Sequence, residues 1–503
     1  MTTRMNAARR LFLRQAGALS ALGSVGAPLA LNLAAMGSAA AQSSSDYKAL
    51  VCIFMFGGND AFNMVLPTDG ASWANYTAVR RQDPDPIALL APGIGRNPGS
   101  GNVLERMGGV LPISPARSQG RSFALHPAMG DARRLFDADK RLAIVANVGP
   151  LRVPTTKSQY AQASHPKPVN LFSHNDQQNT WQTFGPEGAT RGWGGRIADL
   201  LASNNAQAMF TAISASGNAV WLSGQNVRQY QVANSGAIRL GGNSSGQIYG
   251  SAEVTAALER VVRRSRSSHM LEQDLATVVG RSLDAEAVLR GALPPASNAA
   301  FTGSLSYVDP TSSSGATATN PLAQQMQIVA RMIQAGRSGA LAVRRQVFFV
   351  SLGGFDTHDK QNYSHAKLMA QLAHALAWLD TSLGSLGARS QVTTFTASDF
   401  GRTFTSNGDG TDHGWGAHHL VMGGAVRGGD IYGNFPVLGA KNGNNNNFDS
   451  SANQLQNGSL LPEVAVDQFG ATLAKWFGVA DGSLNGVFPN LGAFATRDLG
   501  FMV

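Results

Sequence analysis

The chain has 503 residues, a formal net charge of +9 and one cysteine, Cys52. A lone cysteine excludes an intramolecular disulfide framework and a thiolate metal site. No Lys/Arg stripe with interleaved aromatics is present, so nucleic acid is not an expected partner.

The first 41 residues hold Arg4, Arg9, Arg10 and Arg14 and no acid, so residues 42–503 carry only +5. Arg9-Arg10-Leu11-Phe12-Leu13-Arg14 fits the twin-arginine export pattern. The stretch 16–36 is weakly apolar and is broken by Gly17, Gly23, Pro28 and Asn32, which makes it a poor membrane anchor. Ala39-Ala40-Ala41 is a small-residue cleavage site. Residues 1–41 are therefore expected to be a signal peptide that engages the twin-arginine translocase. The product, residues 42–503, would be periplasmic or secreted and without a transmembrane anchor. Its length fits one large α/β domain with insertions, or two domains.

Residues 47–56 are a near-continuous apolar run and predict a central strand, closed by Gly57-Gly58-Asn59-Asp60. Pro- and Gly-rich loops follow over 68–121, then an amphipathic stretch at 129–139 and a strand at 142–148. Loop chemistry over 150–170 runs into Leu171-Phe172-Ser173-His174. A helix is predicted from 193 to 202 and a strand over 208–213. Residues 217–339 read as an insertion of helices (253–264, 272–293, 322–333) and a Ser/Thr/Gly/Ala-rich loop. A second buried strand covers 347–352 and empties into Gly353-Gly354-Phe355-Asp356-Thr357-His358-Asp359. A helix with a leucine stripe (364–383), strands at 392–397 and 420–422, and a closing helix (464–479) complete the chain.

Three of these strands deliver an aspartate at or near their C-terminal ends: Asp60, Asp356 and Asp399. Open α/β sheets build their sites at that edge. His358 lies two residues from Asp356, and His413 lies in the loop after Asp399. Carboxylates and imidazoles without thiolate suit a divalent metal, with zinc first and manganese, magnesium or calcium as alternatives. Such a centre activates water and neutralises a developing oxyanion. Ser173 is either a nucleophile near the metal or a serine closing a turn. Arg402 either holds an anion or pairs with Asp399. The spacing of Gly242 and Gly246 around Ser244 matches a nucleophile elbow, but no strand leads into it.

The motifs G-G-N-D-A-F-N-M-V-L-P, S-H-N-D-Q-Q-N-T-W-Q-T, G-G-F-D-T-H-D, S-D-F-G-R-T, D-H-G-W-G-A-H-H and V-F-P-N-L resemble the domain of unknown function 1501 family. The likeness spans residues 42–503 apart from the insertion at about 217–340. That family is grouped with the alkaline phosphatase and sulfatase superfamily. The resemblance implies a central, mostly parallel mixed sheet flanked by helices, with a metal site at the strand ends.

By the same resemblance Asp60, Asp356, His358, Asp399 and His413 match metal ligands, and Ser173 falls near the nucleophile's place. The superfamily commonly has histidine after the aspartate at 399, where this chain has Phe400, so either a two-metal centre is incomplete or His418 or His419 substitutes. The implied function is metal-dependent hydrolysis of phosphate or sulfate esters, with Arg402 holding a small anionic ester. The alternative is a metal-binding or assembly protein that keeps the fold without turnover.

Overall fold

A computed structural model describes residues 47–238, 246–264 and 268–503. The expected signal peptide and cleavage site, and residues 242–245 of the elbow match, lie outside the described residues. A nine-stranded sheet forms the centre. In chain order its strands are β1 (Lys48–Phe56), β2 (Leu142–Gly149), β3 (Ala212–Ser214), β4 (Tyr230–Gln231), β5 (Arg345–Gly353), β6 (Val392–Ser398), β7 (Ala417–Gly423), β8 (Ile431–Tyr432) and β9 (Val464–Ala465). Their spatial order is β8-β2-β7-β6-β1-β5-β3-β4, and β9 also pairs with β2.

The expected mixed, mostly parallel sheet is what forms. Every strand runs the same way except β7, which is antiparallel to both β6 and β2. β1 lies between β5 and β6 in parallel register, with Ile53 opposite Val350 on one side and Thr396 on the other. Its side chains divide by period two between the faces. Ala49, Val51, Ile53 and Met55 join one core, and Leu50, Cys52 and Phe54 join the other.

The helices that matter are α1 (Gly70–Arg80), α2 (His174–Thr183), α3 (Trp193–Leu201), α4 (Met270–Ala292), α5 (Pro321–Arg337), α6 (Gln361–Ser385) and α7 (Val466–Phe477). α5 and α6 cover the face that carries Ile53 and Val350. α3 and α7 cover the face that carries Phe54, Phe349 and Phe395. α5 buries Leu322, Met326, Val329 and Ile333 completely or nearly so. The C-terminal part of the expected insertion is thus a core layer. α4, by contrast, buries only Ala285 and Leu289. No helix of the described residues is long and apolar enough to cross a membrane.

Two features set up the site. The reversal of β7 keeps the connection 399–416 at the C-terminal edge of the parallel strands. That connection folds on itself through a bridge between Arg402 and His413. The second feature corrects the loop expected around Ser173 and His174. Ser173 occupies the N-cap position, and His174 opens α2. α2 carries no apolar stripe in its sequence because the residues it buries include Asp176, Gln177, Thr180, Gln182 and Thr183, with Trp181 as its one large apolar anchor.

Gly58 has φ +85°, and a Cβ there would stand 2.3 Å from the Phe400 ring. Gly58→Ala therefore combines left-handed strain with overpacking, and is expected to cost at least about 2 kcal/mol. A drop in the thermal unfolding midpoint checks it; an unchanged midpoint would rule the close packing out.

Candidate metal centre

The strand ends meet at Gly57. Its φ is +116°, and a Cβ would come within 2.2 Å of the Asp356 nitrogen, so β1 and β5 end in contact only because the side chain is missing. The Gly57 N–H donates to Asp399 Oδ2 at 3.2 Å, and its carbonyl accepts from Arg402 Nη1 at 2.9 Å. The backbone of one residue thus meets Asp356, which follows β5, and binds Asp399 and Arg402, which follow β6.

Among the described residues, one group of donors converges as a metal site would require: His174, Asp356 and His413, whose ligand atoms all lie within 4.8 Å of one another. His174 Nε2 and His413 Nε2 each stand 3.4 Å from Asp356 Oδ1. Two donors bound to one zinc ion at ~2.1 Å each would be about 3.4 Å apart. His358 Nε2 adds itself 3.0 Å from the same oxygen and 2.9 Å from His413 Nε2.

The other ring nitrogens fix what these atoms are. His413 Nδ1 lies 2.7 Å from the Phe172 carbonyl, an acceptor only, so Nδ1 carries the proton. His174 Nδ1 lies 2.7 Å from Asp399 Oδ2, and His358 Nδ1 lies 3.2 Å from Asp412 Oδ1. Each Nδ1–H is therefore assigned to an oxygen, and a ring in its neutral form then points an Nε2 lone pair toward Asp356. Lone pairs and a carboxylate oxygen repel unless a cation or protons stand among them. His174 Nε2 and Asp399 Oδ1 are also buried without a hydrogen-bond partner. These donors fit a divalent cation, and Asp399 stands to His174 as an outer carboxylate would to a metal-binding histidine.

Local structure explains each placement. Phe172 has φ 73°, in the left-handed region, which turns its carbonyl to His413. His174 and Gln178 sit one turn apart on α2 and both reach Asp399 Oδ2, Gln178 Nε2 donating at 2.8 Å. Protonated His174 is favoured first by its hydrogen bond to Asp399, which raises its pKa. Burial lowers that of His413. Burial alone would raise the pKa of the Asp356 carboxyl, but the hydrogen bond and charge of Arg402, with His358 and His174, outweigh it and lower it.

Of the residues expected as ligands, Asp356 and His413 lie in the cluster and His358 adjoins it. Asp399 enters as the partner of His174. Asp60 is not brought to these donors. Its oxygens accept from Arg80 at 2.6 and 3.0 Å, from the Phe62 N–H and from Gln361, and it is fully buried. Arg402 pairs with Asp356 at 2.8 Å, not with Asp399. Its side chain is fully buried, and its donors go to Asp356, the Gly57 carbonyl and Thr411, so none is presented to a bound anion. Ser173 donates its hydroxyl to Asp176 Oδ2 at 2.8 Å.

His418 and His419 do not replace a ligand at Phe400. Both lie within β7, where His418 accepts from the Asn147 N–H and His419 packs on Trp181 and Phe469. His174 was not among the expected ligands; its one signal was the S-H-N-D motif, without apolar periodicity to place it on a helix.

Burial lowers the pKa of His418 and His419 to about 3 and of His365 to about 4, and it drives His126 well down. All four stay neutral in the fold while the unfolded chain protonates them near 6.5. Their effect is nil above that pH, and stability is lost as pH falls from about 6.5 toward 4, because the unfolded state binds more protons. Denaturant titrations at pH 7.5 and 5 are expected to show uptake of three to four protons on unfolding at the lower pH. A flat profile would refute neutral burial.

A family model described as "Protein of unknown function (DUF1501)" matches residues 47–457. No curated protein matches the sequence significantly. Among solved structures the chain is similar to one titled as Ps i-CgsB in complex with k-i-k-neocarrahexaose. The TM-score is 0.33 at 9% identity, covering 90% of this chain and 77% of that one. A PsFucS1 sulfatase from Pseudoalteromonas sp. gives a TM-score of 0.33 at 8% identity, covering 93% and 76%. With the family model spanning most of its length, the chain belongs to the DUF1501 protein family.

Proposed function

We propose that this chain is an exported, metal-dependent hydrolase of phosphate or sulfate esters. The observation that carries the metal is the convergence of three Nδ1-anchored imidazoles on Asp356 at the end of β5. His174, Asp356 and His413 would hold the ion, with His358 beside them. The bound cation supplies Lewis-acid polarisation of an ester oxygen or of water. Zinc suits two imidazoles and a carboxylate, and manganese is the next choice. The centre is open to small molecules, since the Asp356 side chain is 45% exposed and that of His358 43%.

The protein's own parts have distinct tasks in this reading. Asp399 holds His174 in the tautomer that offers Nε2, and the Phe172 carbonyl does the same for His413. Arg402 keeps Asp356 anionic from behind. Anion binding then falls to the cation and the neighbouring imidazoles. Ser173, adjacent to His174 and hydrogen-bonded to the Asp176 carboxylate, is the residue assigned as nucleophile, on the pattern of a hydroxyl activated by a neighbouring base. Export by the twin-arginine route, supported by Arg9-Arg10 and the cleavage site before Gln42, belongs to the same proposal.

A second reading, a metal-binding protein without turnover, is favoured by Phe400. Its ring centroid lies 4.8 Å from that of His174 and 4.7 Å from that of His413, an apolar wall where a further ligand would otherwise reach in.

Elemental analysis of the purified chain is expected to find bound zinc or manganese, lost in His174→Ala, and reduced in affinity about 10- to 100-fold in Asp399→Asn. Full metal content in His174→Ala would overturn the assigned centre. Ser173→Ala is expected to abolish ester hydrolysis while keeping the metal. Hydrolysis by neither wild type nor variant, across sulfate and phosphate esters, would leave the second reading.

A further inference from the structure

Asp60 follows a strand and two glycines, as Asp356 follows a strand and two glycines, yet the two carboxylates have opposite surroundings. Arg80, from the last turn of α1, places its guanidinium on Asp60, and both side chains are fully buried. Arg80 Nη1 also donates to Asn63 Oδ1 at 2.8 Å, Nη2 to the Thr403 carbonyl at 2.9 Å and Nε to the Phe404 carbonyl at 3.0 Å. All five of its N–H groups are thereby used, and the rings of Phe62, Tyr76 and Phe404 lie 5.1–5.9 Å from its guanidinium carbon. Two of those bonds hold the backbone just after Arg402.

A second connection leaves from Asp60 itself. Gln361 Nε2 donates to Asp60 Oδ2 at 2.5 Å, and Thr411 Oγ1 donates to Gln361 Oε1 at 2.6 Å. Arg402 Nε donates to Thr411 Oγ1 at 2.9 Å, and Arg402 Nη1 donates to Asp356 Oδ1 at 2.8 Å. The donors from Arg402 through Thr411 and Gln361 all point toward Asp60, so each bond polarises the next in the same sense. The chain of contacts runs through buried residues from the Arg80–Asp60 pair to the carboxylate of the candidate centre.

We infer that Asp60 and Arg80 are positioning residues. Their ion pair fixes the segment that carries Arg402 and, through Gln361 and Thr411, aims Arg402 at Asp356. The guanidinium of Arg80 is the cation that neutralises Asp60, which leaves one candidate metal centre and not two among the described residues. This rests on the metal reading above.

Cobalt(II) titration of the full chain tests it, because the visible spectrum of bound cobalt reports both stoichiometry and ligand geometry. Wild type is expected to bind one equivalent. Thr411→Val keeps the side-chain shape and removes the hydroxyl, and is expected to weaken cobalt binding about 10- to 100-fold with a changed spectrum, while Thr411→Ser restores both. Wild-type affinity and spectrum in Thr411→Val would overturn the relay and leave the metal centre standing. A second equivalent bound by wild type would overturn the assignment of Asp60 to Arg80. Failure of wild type to bind cobalt would overturn the metal reading and this inference with it. Thr411 lies in a loop, so Thr411→Val remains informative even if Asp60→Asn or Arg80→Gln does not fold.

Discussion

The contact at Gly57 is the constraint on which the site depends. Parallel strands in a twisted sheet diverge as they leave it, so side chains placed at their ends do not meet by default. Here β1 continues one residue past its last pair into a position where any Cβ would collide with the Asp356 nitrogen. The Gly57 N–H donates to Asp399, and the Gly57 carbonyl accepts from Arg402. Asp356 and Asp399, on the two strands flanking β1, are held to a common point by the backbone between them. The reversed strand β7 completes the arrangement, since its short return path keeps His413 at the same edge.

The charges around that point fall into two sets with different energetics. Asp60 and Arg80 form a buried pair in which every guanidinium N–H has an acceptor. Burial of two charges costs several kcal/mol each unless such bonds are complete, and removing one partner alone is strongly destabilising. Asp356 has the opposite character. It shares one oxygen with Arg402 and turns toward three imidazoles while remaining half exposed. A closed pair suits holding a loop in place, and an open carboxylate ringed by lone pairs suits receiving something from solvent.

This division explains what was legible in the sequence. β1 and β5 are apolar runs buried on both faces, and β6 (V-T-T-F-T-A-S) is largely β-branched and equally buried, as suits strands inside a parallel sheet. Their C-terminal aspartates were therefore easy to find. The difference between Asp60 and Asp356 was not, because it is made by Arg80, twenty residues on, arriving from a helix whose sequence gives no sign of where its last turn points. His174 escaped for a related reason. α2 packs with buried amides and hydroxyls in place of a hydrophobic stripe, so periodicity could not show a helix, and its ligand meets Asp356 and His413 across 182 and 239 residues of chain. Fold followed from local pattern; the site depended on contacts that no local pattern encodes.

Phe400 was legible as a departure, and its position gives the departure a physical meaning. The ring fills the space over Gly58 and leans on His174 and His413. A histidine there would have added a donor and water access on that side. An aromatic wall instead packs on both imidazoles; burial lowers the pKa of His413, while the hydrogen bond to Asp399 raises that of His174. Desolvation also strengthens each electrostatic contact that remains. Phe400 thus withholds a potential donor on that side, and with Asp60 held by Arg80 the described donors that converge are His174, Asp356 and His413, a set that fits one cation.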